Sequence, residues 1–156
     1  MSAAHEVLDV LRSRGETLCT VESLTGGLLC AGLTDIAGAS DVVRGAVVAY
    51  TMDVKRDVVA VAPEVLQAHG AVSAQTAAAM ADRAREIFGA TWALSTTGVA
   101  GPSQQEGKPV GTVYVGLSGP HREVAGLHLQ GDRQSIREQT CAHAMRLLLR
   151  AVEYRG

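Results

Sequence analysis

The sequence predicts an α/β fold: a three-layer α/β/α sandwich built on a mixed, mostly parallel sheet. Three observations predict it. Short β-branched or apolar runs at 17–21, 42–50 and 92–97 alternate with stretches of helical periodicity, and strands separated by helices build parallel sheets covered on both faces. Two further runs, 110–117 and 123–129, flank Gly119-Pro120 as a hairpin, which makes the sheet mixed. The 156 residues are 47% hydrophobic and 19% charged, a balance that suits one domain spanning 1–156 with a core that needs no staples. No repeat, linker or low-complexity stretch interrupts this pattern.

The elements follow in order. Residues 3–14 put Val7, Leu8, Val10 and Leu11 on one helical face, and Gly15 ends the helix. Thr17–Val21 reads as a buried strand, Glu22–Gly27 as a turn, and 25–36 as an apolar helix through Leu28, Leu29, Ala31 and Leu33. Val42–Tyr50 is the second strand, followed by a short helix around Met52–Val59. Pro63, whose fixed φ suits a first helical turn, opens another short helix that ends at Gly70. Ser73 is placed to cap an Ala-rich helix that runs to about Phe88 and stops at Gly89. Trp92–Thr97 is the third strand and Gly98–Lys108 a loop. After the hairpin, Asp132 caps a helix to about Tyr154; Ser135 with Glu138 also fits a capping box.

Composition narrows the function. The net charge is −2, with no block of like charges and only 3% aromatic residues. A nucleic-acid partner is therefore not expected, since it needs a basic stripe or stacking platforms. A small anion remains open, because a few cations and backbone amides suffice to bind one. Cys19, Cys30 and Cys141 are odd in number and far apart, which reads as reduced thiols of a cytoplasmic protein. The opening Met-Ser-Ala-Ala-His-Glu has neither the basic nor the apolar region of a signal peptide. No uncharged apolar run approaches the roughly 18 residues of a membrane span. His5, His69, His121, His128 and His143 show no ligand spacing, so neither a metal nor a cofactor is expected. Twelve arginines stand against two lysines, Lys55 and Lys108, which suggests that a lysine here occupies a place where arginine fails, as where the group must lose its proton.

Several catalytic signatures are absent. There is no GxSxG, and the stretch from Gly101 to Gly107-Lys108 is one residue too long for a P-loop, with Pro109 in place of the magnesium-binding hydroxyl. The segment Val21-Glu22-Ser23-Leu24-Thr25-Gly26-Gly27 sits where a strand gives way to a helix. Two readings of Ser23 fit. It caps the helix, with the glycines permitting close packing; or it is a nucleophile whose tetrahedral intermediate is held by the free amides at the helix start. A nucleophile needs a base, and Lys55, five residues after Tyr50, is a candidate at the same sheet edge. Its pKa would have to fall by about 3 units from about 10.4, about 4 kcal/mol of differential stabilisation. A surface lysine beside a half-buried tyrosine is the plain alternative. The loop from Thr96 and Thr97 through Gly98 to Gly101-Pro102 follows a strand end, where α/β sheets gather ligands. Arg133 and Arg137, one helical turn apart, could pair with a phosphate.

Taken together, these stretches resemble the C-terminal domain of the CinA competence/damage-inducible family, which includes stand-alone nicotinamide-nucleotide amidases. The matching segments are Glu22–Gly27, Gly45–Tyr50, Lys55, His69–Ser73, Thr97–Pro102, Lys108–Tyr114 and Gly131-Asp132-Arg133. The resemblance implies hydrolysis of nicotinamide mononucleotide to nicotinic acid mononucleotide and ammonia. It implies a serine nucleophile, Ser23, assisted by Tyr50 and Lys55, and a nucleotide site lined by Thr25, Gly26, Gly27, Ser40, Thr97 and the Arg137 region. It implies no metal, and a homo-oligomer. Larger relatives carry a nucleotide-pyrophosphatase domain, whose activity is not expected of these residues. Three departures stand out: Leu24 where the family has Cys, Thr51 after Tyr50 where it has Ser, and Ser103–Gly107 in place of a Gly-rich loop. The competing readings are a nucleotide-binding or protein-interaction module without turnover, and an amidase of another small carboxamide.

Overall fold

The computed structural model describes residues 2–154. Met1, which opens the stretch read for a signal peptide, and the last two positions of the 1–156 span lie outside the described residues. Chain order is α1 (Ala3–Arg14), β1 (Leu18–Glu22), α2 (Leu28–Thr34), a 3-10 turn (Ala39–Asp41), β2 (Val43–Val48), α3 (Met52–Asp57), α4 (Pro63–His69), α5 (Ala74–Phe88), β3 (Trp92–Gly98), β4 (Thr112–Ser118), β5 (Glu123–His128) and α6 (Arg133–Tyr154). The five strands lie in the order β2-β1-β3-β4-β5. β1 pairs in parallel with β2 and β3, and β4 pairs antiparallel with β3 and β5. The sheet is thus mixed, with β4 alone running against the other strands.

Side-chain alternation along each strand builds two cores. Leu18, Trp92, Leu94, Val113, Val115 and Leu117 face α1, α2 and α6, meeting Leu8, Leu11, Leu29 and Leu148. Cys19, Val21 and Ala93 face the other way, onto Met80, Ala81 and Ala84 of α5 and Val59, Val61 and Leu66 around α4. Small residues let α5 lie close to the sheet: the Ser95 hydroxyl donates to the Ala77 carbonyl at 2.6 Å, and a Cβ on Gly116 would sit 2.5 Å from the same oxygen. Truncating a fully buried residue such as Leu94 to alanine costs about 2–5 kcal/mol. No helix among the described residues is long and apolar enough to cross a membrane.

The termini of the helices follow capping chemistry. Ser73 Oγ accepts from the Thr76 amide, Gly89 closes α5 at φ 60°, and Gly15 closes α1 at φ 66°. Asp132 is the cap of α6, its Oδ1 accepting from the Ser135 amide at 2.8 Å. The Ser135–Glu138 box does not do this work: Ser135 Oγ accepts from Gln139 and Glu138 from Gln134.

Several boundaries differ from expectation by one to three residues, and three of them have a clear consequence or cause. α2 begins at Leu28 rather than residue 25, because Gly26 and Gly27 take left-handed φ values of 57° and 101°. β4 begins at Thr112 because Gly111, at φ 92°, turns the chain and the Thr112 amide bonds back to Pro109. β2 ends at Val48, so Tyr50 lies beyond the ladder; the 3-10 turn at Ala39–Asp41 carries no strong sequence signal.

The topology places one edge for chemistry. In register, Glu22 lies between Val48 of β2 and Thr96 of β3. Ser23, the Ala49-Tyr50 pair and Thr97-Gly98 therefore leave three parallel strands at their carboxyl ends, side by side.

Candidate active site

Lys55 lies in the last turn of α3 and its side chain runs back beneath the end of β2, with 2% of the residue exposed. Its Nζ lies 2.9 Å from Ser23 Oγ, 2.8 Å from the Ala49 carbonyl and 3.3 Å from the Tyr50 carbonyl. No carboxylate forms an ion pair with it among the described residues. Burial pushes the ammonium down to about 8, against the opposing pull of the Glu106 charge. Nζ donates to all three oxygens, which match the three hydrogens of the ammonium, while the Ser23 hydroxyl donates to the Tyr50 carbonyl at 3.5 Å; once the ammonium gives up a proton, its lone pair lies within reach of the Ser23 hydroxyl.

Ser23, 7% exposed, is fixed by its backbone, its amide donating to the Thr96 carbonyl at 2.9 Å and to Thr96 Oγ1 at 3.3 Å. Beneath it lies Glu22, fully buried. Its carboxylate accepts from Thr20 Oγ1, Thr25 Oγ1 and the amides of Gly27, Leu29 and Cys30 at 2.7–3.2 Å. This corrects one expectation. The amides at the start of α2 are consumed by Glu22 and are not free to hold an oxyanion. Among the described residues the amides of Leu24 and Thr25 have no acceptor, and of the two residues only Leu24 lines the cavity beside Ser23.

That cavity, about 330 Å³, is bounded by Ser23, Leu24, Tyr50, Lys55, the Ala71-Val72 turn, the strand-end residues from Thr97 to Gln105, and Arg133. Its lining holds two cations and no carboxylate. Arg133 spans the mouth, donating to the Gly101 carbonyl at 2.6 Å and to the Tyr50 hydroxyl at 2.8 Å. The Tyr50 phenol is therefore turned to Arg133; it is the Tyr50 carbonyl that meets Lys55. The loop after Gly101 is buckled to the turn before α5: Glu106 accepts from the amides of Ala71 and Val72, and Lys108 Nζ donates to the Val72 carbonyl.

The residues named from sequence thus divide. Ser23, Tyr50, Lys55, Thr97, Gly98, Gly101 and Arg133 share the cavity. Thr25, Gly26, Gly27 and Arg137 lie behind the Ser23 turn instead. The Thr25 hydroxyl faces Glu22 and Thr96, and Arg137 clamps the carbonyls of Leu24 and Thr25 at 2.9 and 3.0 Å rather than facing a phosphate. Ser40 is exposed on the 3-10 turn and borders a separate surface groove with Cys30 and Arg44. Glu22, Glu106 and the Leu24 amide carried no role in the sequence reading. One signal pointed to Glu22: a helix opened by two glycines has no side chain of its own to cap it, so another acceptor must.

Comparison with known proteins agrees with this architecture. The family described as the CinA C-terminal domain matches residues 1–152. A CinA-like protein of Frankia casuarinae is 49% identical over 145 residues, which are 92% of this chain and 34% of that protein. The chain spans about a third of the length of the curated relatives it matches. Among solved structures, the competence/damage inducible protein CihA from Agrobacterium tumefaciens superposes with a TM-score of 0.92 at 36% identity, covering 97% of this chain and 93% of that one. A CinA superfamily protein from Klebsiella pneumoniae gives 0.94 at 31% identity, covering 97% and 96%.

Proposed function

Since the chain belongs to the CinA C-terminal domain family, we propose that its cavity is the active site of an amidase that hydrolyses nicotinamide mononucleotide to nicotinic acid mononucleotide and ammonia. One observation carries the reading: a buried lysine, ion-paired to no carboxylate among the described residues, holds its Nζ 2.9 Å from a serine hydroxyl at the wall of an open cavity.

In the proposed reaction Ser23 Oγ attacks the carboxamide carbon while neutral Lys55 takes its proton. The carbonyl oxygen becomes an oxyanion beside the Leu24 amide; one such donor is typically worth about 10²–10³ in rate. Collapse breaks the C–N bond, Lys55 returns the proton to the leaving nitrogen, and ammonia departs. Water then attacks the Ser23 ester with Lys55 again as base, and the carboxylate product and free serine result. The Ala49 and Tyr50 carbonyls hold the amine toward Ser23 throughout. Arg133 at the mouth, with no acidic side chain in the lining, favours a substrate whose far end is anionic.

The test is ammonia release from nicotinamide mononucleotide by purified protein, with free nicotinamide in parallel. The expected result is turnover of the mononucleotide and a much smaller specificity constant for the free base. No ammonia at micromolar enzyme overturns the reading; equal turnover of both overturns the anion site.

A further inference from the structure

One hydrogen-bonded chain beneath the nucleophile has a fixed direction. The Glu22 carboxylate only accepts, so the Thr25 hydroxyl must donate to it, at 2.7 Å. Thr25 Oγ1 is then left to accept from the Thr96 hydroxyl, also at 2.7 Å. Thr96 Oγ1 in turn accepts from the Ser23 amide at 3.3 Å, beside that amide's main bond to the Thr96 carbonyl. All four residues are buried, and Glu22, Thr25 and Thr96 are fully so.

Resting on the serine-nucleophile reading above, we infer that Glu22 is a positioning residue that sets the Ser23 turn through Thr25 and Thr96. Two physical arguments support it. First, a helix capped by its own Ser or Asp needs no buried charge, and α2 has none of these at its start; Glu22 supplies the acceptor from the residue next to the nucleophile. The helix start and the nucleophile turn are thereby tied to one carboxylate. Second, the Coulomb and hydrogen-bond energy of a dry, fully satisfied carboxylate depends steeply on geometry, so five donors converging on two oxygens hold their parent backbone tightly. A shift of the turn by a fraction of an ångström would move Ser23 Oγ away from Lys55 Nζ and the Leu24 amide away from the developing oxyanion, with no effect on Arg133 at the mouth. The assignment thus moves Thr25 from the substrate to the support of the nucleophile.

A cap that served stability alone would act through packing, and the Thr25 pair separates the two cases. Thr25→Val keeps the shape and loses the hydroxyl; Thr25→Ser keeps the hydroxyl and loses a methyl. The experiment compares wild type, Glu22→Gln, Thr25→Val and Thr25→Ser, each well below its own Tm. It reads kcat and KM for ammonia release and the rate at which a fluorophosphonate labels Ser23. Expected are losses of about 30-fold or more in kcat and labelling for Glu22→Gln and Thr25→Val, KM within about threefold, and Thr25→Ser within about threefold of wild type in all. Equal activity of the Val and Ser variants, or wild-type labelling of Glu22→Gln, overturns the inference while leaving the amidase reading intact. If the wild type is labelled at Ser23 yet releases no ammonia, the substrate assignment fails, and the labelling rates alone decide the role of Glu22.

Discussion

Lys55 Nζ and Ser23 Oγ lie 2.9 Å apart across 32 residues of chain, and among the described residues no carboxylate forms an ion pair with the lysine. The pH dependence of the proposed reaction follows. Activity requires the neutral amine, so kcat/KM is expected to rise about tenfold per pH unit at acid pH and to level off above about 8, with one ionisation in the free enzyme. A profile flat from pH 6 to 9 contradicts Lys55 as the base.

Glu106 opposes the burial of Lys55 by favouring its charged form. Glu106→Gln is therefore expected to move the acid limb of the profile to lower pH. A limb that stays in place or moves up shows that the Glu106 charge does not reach Lys55.

Replacing the lysine separates charge from proton transfer. Lys55→Arg keeps a cation that cannot readily act as a base, so kcat should fall at least about 10³-fold; near wild-type turnover would remove Lys55 from the mechanism. Lys55→Met should be equally inactive yet more stable. The folded-state pKa of Lys55, about 8, lies below its ordinary 10.5. Folding therefore pays a penalty that is full below about pH 8 and disappears as pH rises through 10.5, on the order of 3 kcal/mol before the lost hydrogen bonds are subtracted. A Tm for Lys55→Met above wild type at pH 7, and converging with it toward pH 10, is the expected result. A lower Tm at pH 7 would show that the bonds to Ala49 and Tyr50 outweigh the buried charge.

Tyr50 and Arg133 should act on binding. The phenol donates nothing to Ser23 or Lys55 and instead accepts from Arg133. Tyr50→Phe is expected to change KM for the mononucleotide by a few-fold with kcat nearly unchanged, and Arg133→Gln to raise KM about tenfold or more while sparing a substrate without phosphate. A Tyr50→Phe variant that loses kcat by orders of magnitude would instead make the phenol a proton relay.

Much of this was legible in the sequence, for identifiable reasons. Periodicity marked the strands and helices because each has a buried face, and Gly15, Ser73, Gly89 and Asp132 marked ends because their backbone or side-chain chemistry is local. The scarcity of lysine pointed to Lys55 and Lys108 alike, and of the two it is Lys55 that reaches Ser23. What the sequence did not disclose depends on contacts between distant segments. Thr25 looked like a ligand-binding hydroxyl until Glu22 and Thr96 were seen on either side of it. Arg137 looked like a phosphate ligand, but its guanidinium reaches the carbonyls of Leu24 and Thr25, more than 110 residues away. Glu106 could not be read at all, since its role depends on how a loop folds back onto the turn before α5.

The central claim is that Ser23 is the nucleophile, and the rate of ammonia release by Ser23→Ala at saturating nicotinamide mononucleotide tests it most directly. The account expects a loss of at least about 10³-fold relative to wild type, with the variant still folded and still binding the nucleotide. A Ser23→Ala protein that releases ammonia within about tenfold of the wild-type rate would contradict it.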